Sequence, residues 1–160
     1  MPDPSMRLKI VTGWSELPDF ASVNFHEEGV VELAQVLLSK GVGVEAGLCD
    51  ALAAENLVNS GLAKHCIRVL LEPQEQEIEK ARETVREIKA VLDRVGIEIP
   101  RLLHGTEATT WEIMGDAINE GYDIRIGFED TLIFSDGTLA RSNVDLVTEA
   151  KQRVARGAAV

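Results

Sequence analysis

Apolar, β-branched runs alternate with helical patterns along the chain. The runs are DFASVNF at Asp19 to Phe25, VGVEAGL at Val42 to Leu48, CIRVLLE at Cys66 to Glu72, PRLLHG at Pro100 to Gly105 and DIRIGFED at Asp123 to Asp130. Strands alternating with helices at this spacing predict repeated βα units on a parallel sheet, which is an α/β fold. Between Gln74 and Val95 the apolar positions Ile78, Ala81, Val85, Ile88, Leu92 and Val95 step by threes and fours. One face of that helix therefore packs on the sheet, and its Glu and Arg residues take the other. Glu28 to Lys40 reads the same way and stops at Gly41, while Gly61, Gly96 and Gly121 also follow helical stretches as stop residues. Asn143 opens a last helix through Val154, and residues 157–160 are expected to fray.

Polar residues break the pattern mainly where these strands end. Asn24 and His26, Glu45, Glu72, His104, and Glu129 with Asp130 all fall at or near strand C-termini. A (β/α)8 barrel builds its active site on that rim, and a doubly wound open sheet also places its ligand there. A complete barrel has eight strands and typically ~250 residues. The 160 residues here supply about five C-terminal βα units, so the expectation is a single partial barrel domain over residues 1–160.

Side chains alternate along a strand, so Arg125, Gly127 and Glu129 are expected on one face, with Asp130 adjacent. Such a grouping is either a site or a structural ion pair. Glu45 sits in an otherwise apolar strand, where a carboxylate must be protonated, paired, or bound to a metal or substrate. Its structural alternative is pairing with Arg68 or Arg125. His104 closes LLHG at a strand end, the position of a proton donor or metal ligand as well as of a structural hydrogen-bonding residue. Asn24 and Ser22 share a strand face and can hydrogen-bond a carbonyl or carboxylate, or line an interior polar layer. Glu72, directly before Pro73, reads as structural, and His65 lies at the opposite rim.

Net charge and motifs narrow the function classes. A formal net charge of -11 with no clustered Lys and Arg argues against nucleic acid as a partner. No run reaches the ~20 apolar residues of a membrane span. Cys49 and Cys66 match no metal or redox spacing. A cytoplasmic protein with reduced thiols is expected. GVGVEA at Gly41 to Ala46 has GxGxxA spacing but leads into a strand, so the dinucleotide-binding context is missing, and neither a phosphate-binding loop nor a GxSxG elbow is present. Acid, base and metal chemistry at a strand rim is what remains.

The strings PDFASVNF, GVGVEAGL, RVLLEP, RLLHG and DIRIGFEDTL, followed by DGTLARSNVDLV, resemble the beta-keto acid cleavage enzyme family, typified by 3-keto-5-aminohexanoate cleavage enzyme. The likeness runs from about Trp14 to Val154 and is most specific around Arg125, Glu129, Asp130 and Asn143. The resemblance implies a (β/α)8 barrel with a divalent metal, usually zinc. It also implies a reaction of a beta-keto acid with acetyl-CoA that gives acetoacetate and a new CoA ester. By the same resemblance Glu129 matches a glutamate metal ligand, Arg125 and Asp130 match a catalytic dyad with the aspartate as base, and Glu45 matches a strand glutamate that handles substrate.

The His-x-His metal ligands of the family and its serine have no counterpart in this sequence. The expectation that follows is a barrel lacking roughly its first three strands. Such a chain is either a truncated enzyme, whose activity in this form the missing ligands leave open, or a non-catalytic remnant that binds or oligomerises. A partial barrel exposes strand edges, so self-association into a homo-oligomer is expected.

Overall fold

The computed structural model describes residues 3–157. Helix α1 (Pro4–Thr12) begins behind Asp3, whose carboxylate accepts hydrogen bonds from the backbone N–H groups of Ser5 and Met6. Four βα units follow: β1 (Phe20–Asn24) and α2 (Val30–Ser39), β2 (Gly43–Leu48) and α3 (Ala51–Ser60), β3 (Arg68–Leu71) and α4 (Ile78–Arg94), and β4 (Arg101–Leu103) and α5 (Thr110–Glu120). The last helix, α6, is Asn143–Gly157. The strands form one parallel sheet in the order β1-β2-β3-β4. Each strand thus lies beside the next in sequence, and the βα alternation of the apolar pattern becomes a singly ordered α/β layer.

The fifth run departs from the expectation of a strand. Only Asp123 joins the ladder, through a single parallel bridge to Leu102. From there the chain turns, with the N–H groups of Asp130 and Thr131 both donating to the Gly127 carbonyl at 2.9 and 3.1 Å. Glu129 therefore stands in a turn, not on a strand face with Arg125 and Gly127. Hydrogen bonds local to Gly127 have displaced the ladder that the alternation predicted. The sheet is open among the described residues, with β1 at one edge and the Asp123 segment at the other.

Helix α4 starts later than the periodicity from Gln74 suggests. The Gln76 amide instead donates to Thr106 Oγ1 at 3.2 Å and accepts from the Ala108 N–H at 3.0 Å, clasping the β4-α5 loop. Gly61 and Gly121 end α3 and α5 as expected. Helix α6 runs through Gly157, past the expected end at Val154 and into the segment expected to fray, and the rest of that segment, residues 158–160, lies outside the described residues.

The two faces of the sheet have different jobs. Val23, Phe25, Val44, Ala46, Leu48, Val69, Leu71 and Leu103 point outward and are buried in one core under the helices. The alternate positions Ser22, Asn24, Glu45, Gly47, Arg68, Leu70, Glu72, Leu102 and His104 share the inner face. Among the described residues no helix is long and apolar enough to cross a membrane.

Candidate active site

The inner face carries polar groups at two levels. At the lower level the register aligns Ser22 with Glu45 and Glu45 with Arg68. The Ser22 hydroxyl and the Arg68 Nε both donate to the Glu45 carboxylate, one to each oxygen. Arg68 also reaches Asp123 at 3.6 Å and lies over the Phe20 ring, 5.4 Å from its centroid. Glu45 is only 3% exposed, and its charge is met by Arg68, the structural alternative open to it. Neither Glu45 nor Ser22 has a hydrogen bond or ion pair to Arg125 or Asp130.

Four residues beyond Arg68, about 13 Å along an extended chain, comes Glu72 at the end of β3. It opens the upper level. Gly47 is the register partner of Asn24, and a methyl group at position 47 would collide with Asn24 Oδ1 and lie 2.9 Å from Glu72 Oε1. The bare glycine is what lets the Asn24 and Glu72 side chains converge over β2. Asn24 also donates through Nδ2 to Glu27 Oε1 at 3.1 Å.

Beside them stands a buried charged cluster. Asp130 is 1% exposed, and its Oδ1 accepts from Arg125 Nη2 at 2.9 Å. His104 Nδ1 lies 3.2 Å from the same oxygen, with the ring off the line of a hydrogen bond, and His104 Nε2 is 3.7 Å from Glu72 Oε2. Burial disfavours the charged form of Asp130, but the His104 ring and the Arg125 guanidinium outweigh it and hold the carboxyl below its ordinary range. Burial likewise pushes His104 down, and contact with Asp130 and then Glu72 outweighs burial, so its pKa is raised. Asp130 Oδ2, Arg125 Nε and both His104 ring nitrogens are buried without a hydrogen-bond partner. Buried groups without partners are costly, and their concentration at one strand rim marks a place where water or a ligand completes the bonding.

The loop after β4 anchors Asp130 through the main chain as well. The Glu107 N–H donates to the Asp130 carbonyl at 2.6 Å, and Thr110 Oγ1 donates to it at 3.2 Å. Glu107 makes its contact at a φ of 48°, the one positive value for a non-glycine residue among those described.

Of the residues expected in the site, Arg125, Asp130 and His104 meet directly, and Asn24 lies on the same rim. Glu129 is on the solvent side, with its side chain 69% exposed and 3.1 Å from Arg125. Glu45 and Ser22 lie at the level below. The sequence pattern reads Glu72 as structural and singles out neither Gly47 nor Glu107 for this rim. The pairing of an inward Asn24 with a glycine was the available signal for the first two.

An implied metal does not fit this donor set. Among the described residues no three His, Cys, Asp or Glu side chains gather so as to hold a metal ion. Glu129 is committed to Arg125, and one carboxylate falls short of the three or four protein ligands of a zinc site.

The family profile described as beta-keto acid cleavage enzyme matches residues 10–158. No curated protein matches the chain.

Proposed function

This chain belongs to the beta-keto acid cleavage enzyme family, and we propose that its inner-face rim works on a beta-keto acid as part of a TIM-type barrel, with Asp130 as the base. The observation that carries this reading is the buried Asp130 carboxylate, held through Oδ1 by Arg125 with Oδ2 left unpartnered. An ionised carboxylate so placed can accept the proton between the keto and acid carbonyls of such a substrate.

A carboxylate held below its ordinary range is a weak base, and the substrate itself supplies the remedy. Its own carboxylate would share the Arg125 guanidinium, draw part of that charge away from Asp130 and raise the basicity of Asp130 as the proton is needed. Asn24, whose amide can donate to a carbonyl oxygen, is placed to bind the keto end beside Glu72, while Glu45 and Ser22 support the floor. The carbon nucleophile then takes the acetyl group from acetyl-CoA, and the released thiolate cleaves the other acyl group away. A beta-keto acid and acetyl-CoA become acetoacetate and a new acyl-CoA, with the proton returned to acetoacetate.

The test is to incubate the protein with beta-keto acids of several chain lengths and acetyl-CoA, and to measure acetoacetate. Turnover that falls at least about 100-fold in Asp130→Asn is expected. No acetoacetate from the wild type with any of these substrates overturns the reading.

A second reading, a non-catalytic remnant that self-associates, is favoured by the unpaired β1 edge, where Phe20 is 44% exposed. A concentration-independent monomer mass in solution would remove it.

A further inference from the structure

We infer that His104 is the positioning residue for Asp130: from the end of β4 it flanks the oxygen that Arg125 also holds, with Glu72 behind the ring, so that Oδ2 is the oxygen presented to substrate. This rests on the proposed role of Asp130 as base and adds to it the group that aims it.

The geometry gives each group one task. Arg125 Nη2 and His104 Nδ1 approach Oδ1 at 2.9 and 3.2 Å, whereas no protein donor reaches Oδ2. Two nitrogens approaching one oxygen from different elements fix the plane of the carboxylate, which a single contact would leave free to turn. His104 is itself held. Its backbone N–H donates to the Leu71 carbonyl at 3.2 Å in the sheet, and its side chain is 3% exposed. The charged groups facing the ring are Glu72 from the end of β3, Asp130 from the turn after Gly127, and Arg125 from the segment after Asp123. The far nitrogen, Nε2, looks toward the Glu72 carboxylate at 3.7 Å. An anionic substrate is therefore poorly served by that edge, and in place of the proton donor or metal ligand that the sequence position suggests, His104 acts through Asp130. The same loop then clamps the Asp130 carbonyl through Glu107 and Thr110, so β4 and its loop grip this residue at both main chain and side chain.

The two nitrogens can be told apart by substitution. An asparagine amide reaches the position of Nδ1, and a glutamine amide reaches that of Nε2. In the acetoacetate assay His104→Gln is expected to lose about 10- to 100-fold in kcat with KM little changed, as for an interaction that matters in the transition state, and His104→Asn to recover most of that loss. Equal losses in both variants, or a rise in KM at unchanged kcat, overturns the assignment. A second measurement needs no turnover. Although the ring is turned off the line to Oδ1, its burial between Glu72 and Asp130 shields the Nδ1 proton, which should appear as a slowly exchanging signal in the proton NMR spectrum of the wild type and vanish in Asp130→Asn, where the ring loses its charge partner. If the wild type makes no acetoacetate, the functional reading falls, and the ring proton alone decides: a signal absent from the wild type, or unchanged in Asp130→Asn, refutes the contact on which the assignment stands.

Discussion

Glu45 closes an ion pair with Arg68 on the inner face of the sheet, at the register level below the rim that holds Asp130. Removing one partner of a buried pair leaves the other uncompensated, which typically costs about 3 kcal/mol or more. Arg68→Ala, which leaves the buried Glu45 carboxylate without its cation, should therefore lower the unfolding free energy by roughly 3 kcal/mol in urea denaturation. It should leave the His104 ring proton signal unchanged. A stable variant with an altered rim signal would place Glu45 in the upper cluster instead.

Gly47 makes the opposite prediction. An alanine methyl there meets the ends of two flexible side chains, Asn24 and Glu72, which can swing aside at little cost. Gly47→Ala should fold with stability within about 1 kcal/mol of the wild type, because a mobile neighbour relaxes where packed backbone cannot. The rim should nevertheless be disturbed. Loss of acetoacetate formation with an unchanged thermal midpoint is the expected result, and full activity would show that Asn24 and Glu72 need not converge.

The raised pKa of His104 and the lowered pKa of Asp130 define a window of stability. For His104, a folded value above the ordinary imidazole value of 6.5 means that its contribution is fully present below that pH and fades as pH rises through the folded value. For Asp130, a folded value below the ordinary carboxyl value of 3.8 means that its contribution is present above that pH and is lost as pH falls through the folded value. The stability gap between wild type and His104→Asn should thus be larger at pH 5 than at pH 9. Urea denaturation at both values measures it. A gap that is equal, or larger at pH 9, would mean that the ring is not held charged by Asp130 and Glu72.

The sequence pattern located the cluster more faithfully than it located the elements carrying it. Apolar runs at regular spacing predicted the four strands and their helices, because outward residues such as Val44, Val69 and Leu71 must be buried whatever the fold. Polar residues at strand ends led to Asp130, Arg125 and His104. What stayed illegible was decided by contacts between segments. The turn at Gly127 captured the second half of the fifth run, and with it Glu129 left the strand face. Glu45 looked like a stranded acid in an apolar strand because its partner Arg68 lies on the neighbouring strand, where only register reveals it. Glu72 looked like a residue before a proline until β4 brought His104 beside it.

Glu107 joins local strain to the placement of Asp130. Its φ of 48° puts a side chain where an L-residue is disfavoured by roughly 1 kcal/mol, and its N–H uses that conformation to reach the Asp130 carbonyl at 2.6 Å. A glycine at 107 keeps the N–H and removes the steric conflict, at the cost of a more flexible unfolded chain. A valine keeps the N–H too, but its β-branch makes the left-handed conformation still less accessible. Glu107→Gly should therefore be at least as stable as the wild type. Glu107→Val should be less stable than Glu107→Gly by about 1 kcal/mol or more, as judged by thermal unfolding. If the loop strain serves to hold Asp130, the valine variant should also lose the His104 ring proton signal, since a carboxylate released from the main-chain clamp no longer sits against the ring. Equal stability of the two variants, with the signal intact in both, would mean that the clamp forms without the positive φ.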